Sequence, residues 1–171
     1  MNDLHFPEYA KDIKLNLHSL LDGRAQDGLS EGQIALIALA AAYSIGNQPL
    51  IEAIRHYASE HGVGNEGETA AKTAATIMAM NNVYYRFTHL LSDKDYLQMP
   101  AKLRMNAINN PGVAKVDFEL MSMAVSAING CGLCMDAHAK SLQKLDVDKA
   151  GIQTTVRIAA VIAAAATALN I

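Results

Sequence analysis

Tryptophan is absent from this chain of 171 residues and phenylalanine occurs only three times, so a core must be built from aliphatic side chains. Two cysteines are too few for a disulfide scaffold, and their close spacing leaves redox or metal chemistry to account for them. Four prolines, at positions 7, 49, 100 and 111, leave residues 112–171 free to run as uninterrupted helix. Charge is also sparse: charged residues make up 18% of the chain, against roughly 25% in an average soluble domain, which suggests that another subunit covers part of the surface. With 14 basic and 17 acidic residues there is no basic field, so neither nucleic acid nor an anionic membrane is expected as a partner. Asp3, Glu8, Lys11, Asp12 and Lys14 interrupt the first twenty residues, which excludes a signal peptide and points to the cytoplasm. The most apolar run, Ile158 to Leu169, is about 12 residues, short of the roughly 20 needed to span a bilayer, and reads as a buried helix. Neither a Gly-rich phosphate loop nor a Gly-x-Ser-x-Gly motif is present, so nucleotide binding and serine hydrolysis find no support.

What the sequence does have is helix formers. Ala, Leu, Met, Ile, Lys and Glu dominate, without the alternation of β-branched residues that marks strands, so the fold class is all-α. The length and the 51% of hydrophobic residues suit a single domain spanning 1–171. Helices are expected at roughly 9–21, 30–45, 49–60, 67–90, 99–107, 115–128, 131–144 and 148–168. Loops fall at Asp22-Gly23, Gly62 to Gly67, Ser92 to Lys94 and Asn109 to Gly112. A weak internal repeat relates Ile34 to Tyr57 and the following helix to Glu119 to Lys140 and the helix after it. In that alignment Gln48, Ile51 and Arg55 lie where the second copy has Cys131, Cys134 and His138, and Leu36 replaces Glu119. Only the second copy carries chemistry.

That chemistry is concentrated in Glu119, Cys131-Gly132-Leu133-Cys134 and His138. Asn129-Gly130 marks a turn, which places Cys131 in the first turn of a helix, where unpaired N–H groups and the helix dipole stabilise a thiolate. Three residues advance about 300° on a helix and four about 400°, so Cys131, Cys134 and His138 share a face. If the flanking helices fold back at the turn, Glu119 and His138 are equidistant from it and meet. A carboxylate on one imidazole nitrogen fixes the tautomer and leaves the other nitrogen to take a proton from Cys134. The spacing therefore describes a relay: Glu119, His138, Cys134, Cys131. Two alternatives use the same residues. Two thiols, an imidazole and a carboxylate could hold zinc, although no second Cys/His pair closes the usual structural site. The cysteines could also be inert core residues, which would leave the aligned His138 unexplained.

The remaining histidines, His5, His18, His56, His61 and His89, are scattered and read as surface or capping residues. Met121, Met123 and Met135 flank the motif and read as core or subunit contacts, with a pocket lining for an apolar peroxide as the second possibility.

Several strings away from the motif are also distinctive: PEYAKDIKLNL from Pro7 to Leu17, MNNVYY from Met80 to Tyr85, LRMN from Leu103 to Asn106, Asn110-Pro111-Gly112, Phe118-Glu119-Leu120, and AVSAINGC from Ala124 to Cys131. In these the chain resembles the alkyl hydroperoxidase D (AhpD) family of the carboxymuconolactone decarboxylase-like group over nearly its whole length. The resemblance implies an all-helical homotrimer with a redox disulfide between Cys131 and Cys134. It implies that Cys134 attacks the hydroperoxide and passes through a sulfenic acid, that Cys131 is proton donor and resolving partner, and that Glu119 and His138 form the relay. Cys131 would afterwards be the sulfur exposed to an incoming dihydrolipoyl thiol. Such proteins reduce organic hydroperoxides weakly themselves and mainly regenerate a peroxiredoxin, alkyl hydroperoxide reductase C, with electrons from dihydrolipoyl groups on an acyltransferase. No bound cofactor and no metal are implied. The alternative is a decarboxylase-like or zinc-binding member of the scaffold. One departure stands out, since family members often have a histidine between the cysteines where this chain has Leu133.

Overall fold

Ser30 opens the first long helix with a reciprocal cap: its hydroxyl accepts from the Gln33 amide N–H at 3.2 Å, and the Gln33 side chain accepts from the Ser30 N–H at 3.0 Å. The computed structural model describes residues 4–22, 24 and 26–171, so Gly23 of the expected Asp22-Gly23 loop lies outside the described residues. Seven α-helices follow in order: α1 (Lys11–Leu20), α2 (Glu31–Ile45), α3 (Gln48–Glu60), α4 (Asn65–Leu90), α5 (Lys115–Ile128), α6 (Gly132–Lys144) and α7 (Lys149–Asn170). Among the described residues the only pairing of the β type is an isolated bridge between Gln26 and Leu29, so the chain is all-helical.

α2 and α5 form the middle of the molecule. α2 buries every residue from Ile34 to Ala42, and it packs on α3, α4, α5 and α7, while α5 packs on α2, α4, α6 and α7. Small side chains allow this close approach: Ala35, Ala38, Ala40 and Ala41 of α2 share one continuous apolar cluster with Ala70, Ala71, Ala124 and Ala165 of α4, α5 and α7. Gln33 reaches across to Asp117 with its side-chain N–H, at 2.9 Å, and ties the start of α2 to the start of α5.

The helix expected at 99–107 is not formed. Short 3-10 turns at Lys94–Leu97 and Asn106–Asn109 flank an irregular stretch instead. Pro100 disfavours a helical Met99, and Lys102 takes a positive φ of 53°, which no α-helix accommodates. The apolar run in the last helix is embedded in something longer than 12 residues. α7 has 22 residues and is long and apolar enough by composition to cross a membrane, but half of its apolar window is buried within the fold, against α1, α2 and α5.

The two helical triplets keep a common register. α5, α6 and α7 each begin 84 residues after α2, α3 and α4. That register is one residue off the alignment read from side chains, and it pairs Cys131 with Asn47, Cys134 with Leu50, His138 with Ile54 and Glu119 with Ala35.

Candidate functional site

Cys131 is the residue before α6 rather than a member of its first turn, with a non-helical φ of −91° and ψ of 89°. It occupies the N-cap, and its sulfur accepts the Cys134 N–H at 3.3 Å, the role an Asn or Ser oxygen ordinarily fills. Gly130, with φ of 65°, makes the preceding turn possible. That turn is held from α4: the Arg86 guanidinium donates to the Asn129 carbonyl, the Asn129 amide donates to Asn82 Oδ1, and Asn82 donates to Ser126 Oγ, the last two at 3.0 Å. Asn82 and Ser126 are fully buried, so this network fixes the turn against the core.

Cys131 and Cys134 form a disulfide with their Cα atoms 5.3 Å apart. Their accessibility differs in the opposite sense to the sequence expectation. Cys131 is sealed at 0% exposure, whereas Cys134 keeps 7% and opens into a pocket, because the N-cap position tucks the first sulfur under the α5–α6 turn. Of the two cysteines, Cys134 lines the pocket and Cys131 does not.

Four residues after Cys134, the His138 ring lines the same pocket, and its Nδ1 lies 2.8 Å from Glu119 Oε2 on α5. The two side chains are 16% and 14% exposed, so solvent screens the pair little. With Nδ1–H donating to the carboxylate, Nε2 is the nitrogen left to exchange protons. Glu119, His138, Cys134 and Cys131 thus lie together on the facing surfaces of α5 and α6.

The pocket has a volume of about 340 Å³ and is formed between α6, α4 and the irregular segment. α4 supplies Met78, Asn81 and Tyr85, the segment supplies Met105 and Ile108, and α6 supplies Leu133 and Ala137 besides the two reactive residues. Leu133, where a histidine was noted as usual, makes this wall apolar. Met121 and Met123 are buried in the core and Met135 packs against it, so the thioethers of the pocket are Met78 and Met105 instead. The sequence carried no sign of this wall beyond the Met80–Tyr85 and Leu103–Asn106 strings. Two larger hollows, of about 820 and 420 Å³, lie elsewhere against α2, α3 and α4 and contain neither cysteine.

The other histidines lie apart from this site. His56 pairs with Glu60 on the α3 surface, and His61 closes the end of α3 with its ring 2.7 Å from the Tyr57 carbonyl. Among the described residues no group of three or more His, Cys, Asp or Glu residues, the Glu119, Cys131, Cys134 and His138 set included, is arranged to hold a metal ion.

Residues 94–171, which include the whole constellation, match the carboxymuconolactone decarboxylase family. An alkyl hydroperoxide reductase AhpD of Coxiella burnetii is 54% identical over 156 residues, covering 91% of this chain and 88% of that protein. Proteins of the same name from Azorhizobium caulinodans and Rhizorhabdus wittichii are each 52% identical, over 96% and 94% of this chain and 88% and 91% of their own lengths.

Proposed function

This chain belongs to the AhpD family, and from that premise we propose that it is an alkyl hydroperoxide reductase working through a Cys131–Cys134 dithiol–disulfide cycle. The observation that carries the reading is the disulfide whose one accessible sulfur, on Cys134, opens into an apolar pocket beside a His138–Glu119 pair.

In the reduced protein, His138 takes the proton of the Cys134 thiol while Glu119 holds the imidazole in place. The thiolate attacks the terminal oxygen of the hydroperoxide. The O–O bond breaks, Cys134 becomes a sulfenic acid, and the alkoxide leaves as an alcohol with the proton from His138. The Cys131 sulfur then displaces hydroxide from Cys134, and its own proton completes a water molecule. Two thiols and one hydroperoxide give one disulfide, one alcohol and one water. Reduction follows by thiol exchange at Cys134, with Cys131 as leaving group, because the Cys134 N–H and the start of α6 stabilise its thiolate. A dihydrolipoyl group, carried on an acyltransferase, is the dithiol we assign to that step, and a peroxiredoxin, alkyl hydroperoxide reductase C, is the disulfide partner to which electrons pass on. The cycle needs no bound cofactor and no metal.

We assign the working form to a cytoplasmic homotrimer. A stripe of Val83, Phe87 and Leu90 on α4, 61%, 46% and 72% exposed, continues into Leu97 and Met99 and supports burial against further subunits. The two triplets in 84-residue register support an origin by internal duplication.

The test is turnover of an organic hydroperoxide with dihydrolipoamide, with and without the partner peroxiredoxin, alongside a count of free thiols. Loss of two thiols per hydroperoxide, and faster turnover with the peroxiredoxin, are expected. A protein whose thiols survive excess hydroperoxide would end the proposal. Light scattering that returns the 18.3 kDa subunit mass at micromolar concentration would end the trimer assignment.

A further inference from the structure

Packing gives no reason for an asparagine at position 81. The residue shares a face of α4 with Met78 and Tyr85, is 6% exposed, and its carboxamide oxygen is sealed from solvent with no hydrogen-bond partner. A buried acceptor left unpaired is costly, and native folds rarely keep one without a use. Its neighbour Asn82 makes the contrast plain, since that amide is engaged by both Ser126 and Asn129. Its counterpart 84 residues later does so too, since Ala165 in α7 is fully buried and the helix packs there without a polar group.

Asn81 lines the pocket that also holds Cys134 and His138, with its unpaired oxygen sealed from solvent, and the remaining wall is largely apolar. A hydroperoxide carries one O–H donor and a neighbouring acceptor oxygen, and a carboxamide presents an acceptor and a donor side by side. We propose that Asn81 is a substrate-binding residue that grips the O–O–H group of an organic hydroperoxide while its substituent lies against Met78, Met105, Ile108 and Leu133. The proposal rests on the peroxidase reading above and adds to it the group that aims the substrate. A turn of the carboxamide brings Oδ1, sealed in the unliganded protein, to accept from the terminal O–H while Nδ2 donates to the inner oxygen, which lays the O–O bond along the line of attack from Cys134. When the sulfur–oxygen bond forms and the O–O bond breaks, negative charge gathers on the inner oxygen. Nδ2–H stabilises it until His138 returns the proton taken from the thiol and the alcohol departs. The sulfur is oxidised, the peroxide is reduced, and no other reactant is consumed.

The experiment compares Asn81→Ala and Asn81→Leu with the unaltered protein, prereduced, in single turnover with cumene hydroperoxide and with hydrogen peroxide. Alanine is the residue the equivalent position of α7 already tolerates, which favours a folded variant, and far-ultraviolet circular dichroism verifies it. Alkylation of Cys134 by iodoacetamide, read by mass, reports thiol reactivity without a peroxide. Both variants are expected to slow both peroxides by about 10- to 100-fold, leaving the ratio of the two rates and the alkylation rate within about twofold. Ile108→Trp, which fills the tail region from outside the long helices, is expected to lower the cumene-to-hydrogen-peroxide ratio by about tenfold. Unchanged peroxide rates in the Asn81 variants, or alkylation that falls in parallel with them, would overturn the role of Asn81. An unchanged ratio in Ile108→Trp would overturn the placement of the substituent. If the unaltered protein reduces neither peroxide, the peroxidase reading fails first and this inference with it.

Discussion

The triplets α2–α4 and α5–α7 begin their helices in one register, yet their middle helices do opposite work. In α3 the N-cap is Asn47, whose side-chain oxygen accepts the Leu50 N–H at 2.9 Å. In α6 the N-cap is Cys131, whose sulfur accepts the Cys134 N–H. The positions facing inward are Leu50 and Ile54 in one case, both at 0% exposure, and Cys134 and His138 in the other. Glu119 similarly stands where α2 has the buried Ala35. The candidate site residues therefore occupy positions that elsewhere in the same molecule are ordinary caps and core. The comparison teaches that the scaffold supplies a cap, a face and a turn, and that the candidate site differs from its counterpart by four side chains and an opening. The opening comes from unlike coverings: α1 packs on α7, while the irregular residues beyond α4 leave a pocket over α6.

The comparison is broken most severely by removing a sulfur. Cys134→Ser is expected to reduce peroxide turnover by on the order of 10³-fold or more, since no other thiol lines the pocket. Cys131→Ser retains the first step and accumulates a sulfenic acid on Cys134. Mass analysis after dimedone-type trapping checks both, and an adduct on Cys131 in the Cys134→Ser protein would reverse the assignment. Next in size are Glu119→Gln and His138→Phe, each expected to slow peroxide reduction by about 10²–10⁴, with the double variant little worse than either alone. Multiplicative losses would show two independent groups.

Substitutions in the other triplet should move stability and leave chemistry alone. Leu50→Ala and Ile54→Ala are expected to cost about 2–5 kcal/mol each in urea unfolding, with unaltered iodoacetamide reactivity at Cys134 in the folded protein. Asn47→Ala removes a cap and its 2.7 Å bond to Asn170, for about 1–2 kcal/mol. The smallest effect concerns Glu68, whose carboxylate accepts from Lys72 and from Tyr43, each at 2.7 Å. The Lys72 bond first, and the Tyr43 bond after it, hold the Glu68 acid below its usual range, while burial and the Glu68 contact push the Tyr43 phenol up. A depressed carboxyl stabilises the fold above its unfolded value of about 4.3 and loses that contribution as pH falls through the folded one. Stability of the native chain should thus drop more between about pH 5 and pH 3 than that of Glu68→Gln. Identical acid profiles in thermal melts would remove Glu68 from the account.

Much of the site was legible because it is local. The spacing from Cys131 to His138 sets a helical face, and Asn129-Gly130 folds Glu119 back onto it. The pocket wall was not, because Met78, Asn81 and Tyr85 come from a helix some fifty residues upstream that neither periodicity nor motif connects to the cysteines. The helix expected at 99–107 failed where Pro100 and the left-handed Lys102 outweigh good helix formers. The burial of Cys131 escaped for a different reason. Moving one residue from first turn to N-cap turns its side chain under the preceding turn, and boundaries at that resolution do not follow from composition. The helix starts keep an 84-residue register, one residue from the alignment read off side chains, although the residues that precede them differ: Ser30 against Ala114, Asn47 against Cys131 and Gly64 against Asp148.

A single accessible sulfur also sets the order of events in time. In the proposed cycle peroxide and reducing dithiol each come to Cys134 through the same mouth, so one has to leave before the other enters. Steady-state data should then give parallel double-reciprocal lines, with each reactant obstructing the other when it occupies the wrong redox form. A high concentration of dithiol would slow the enzyme it feeds, and the burial of Cys131 would be read directly from a kinetic pattern.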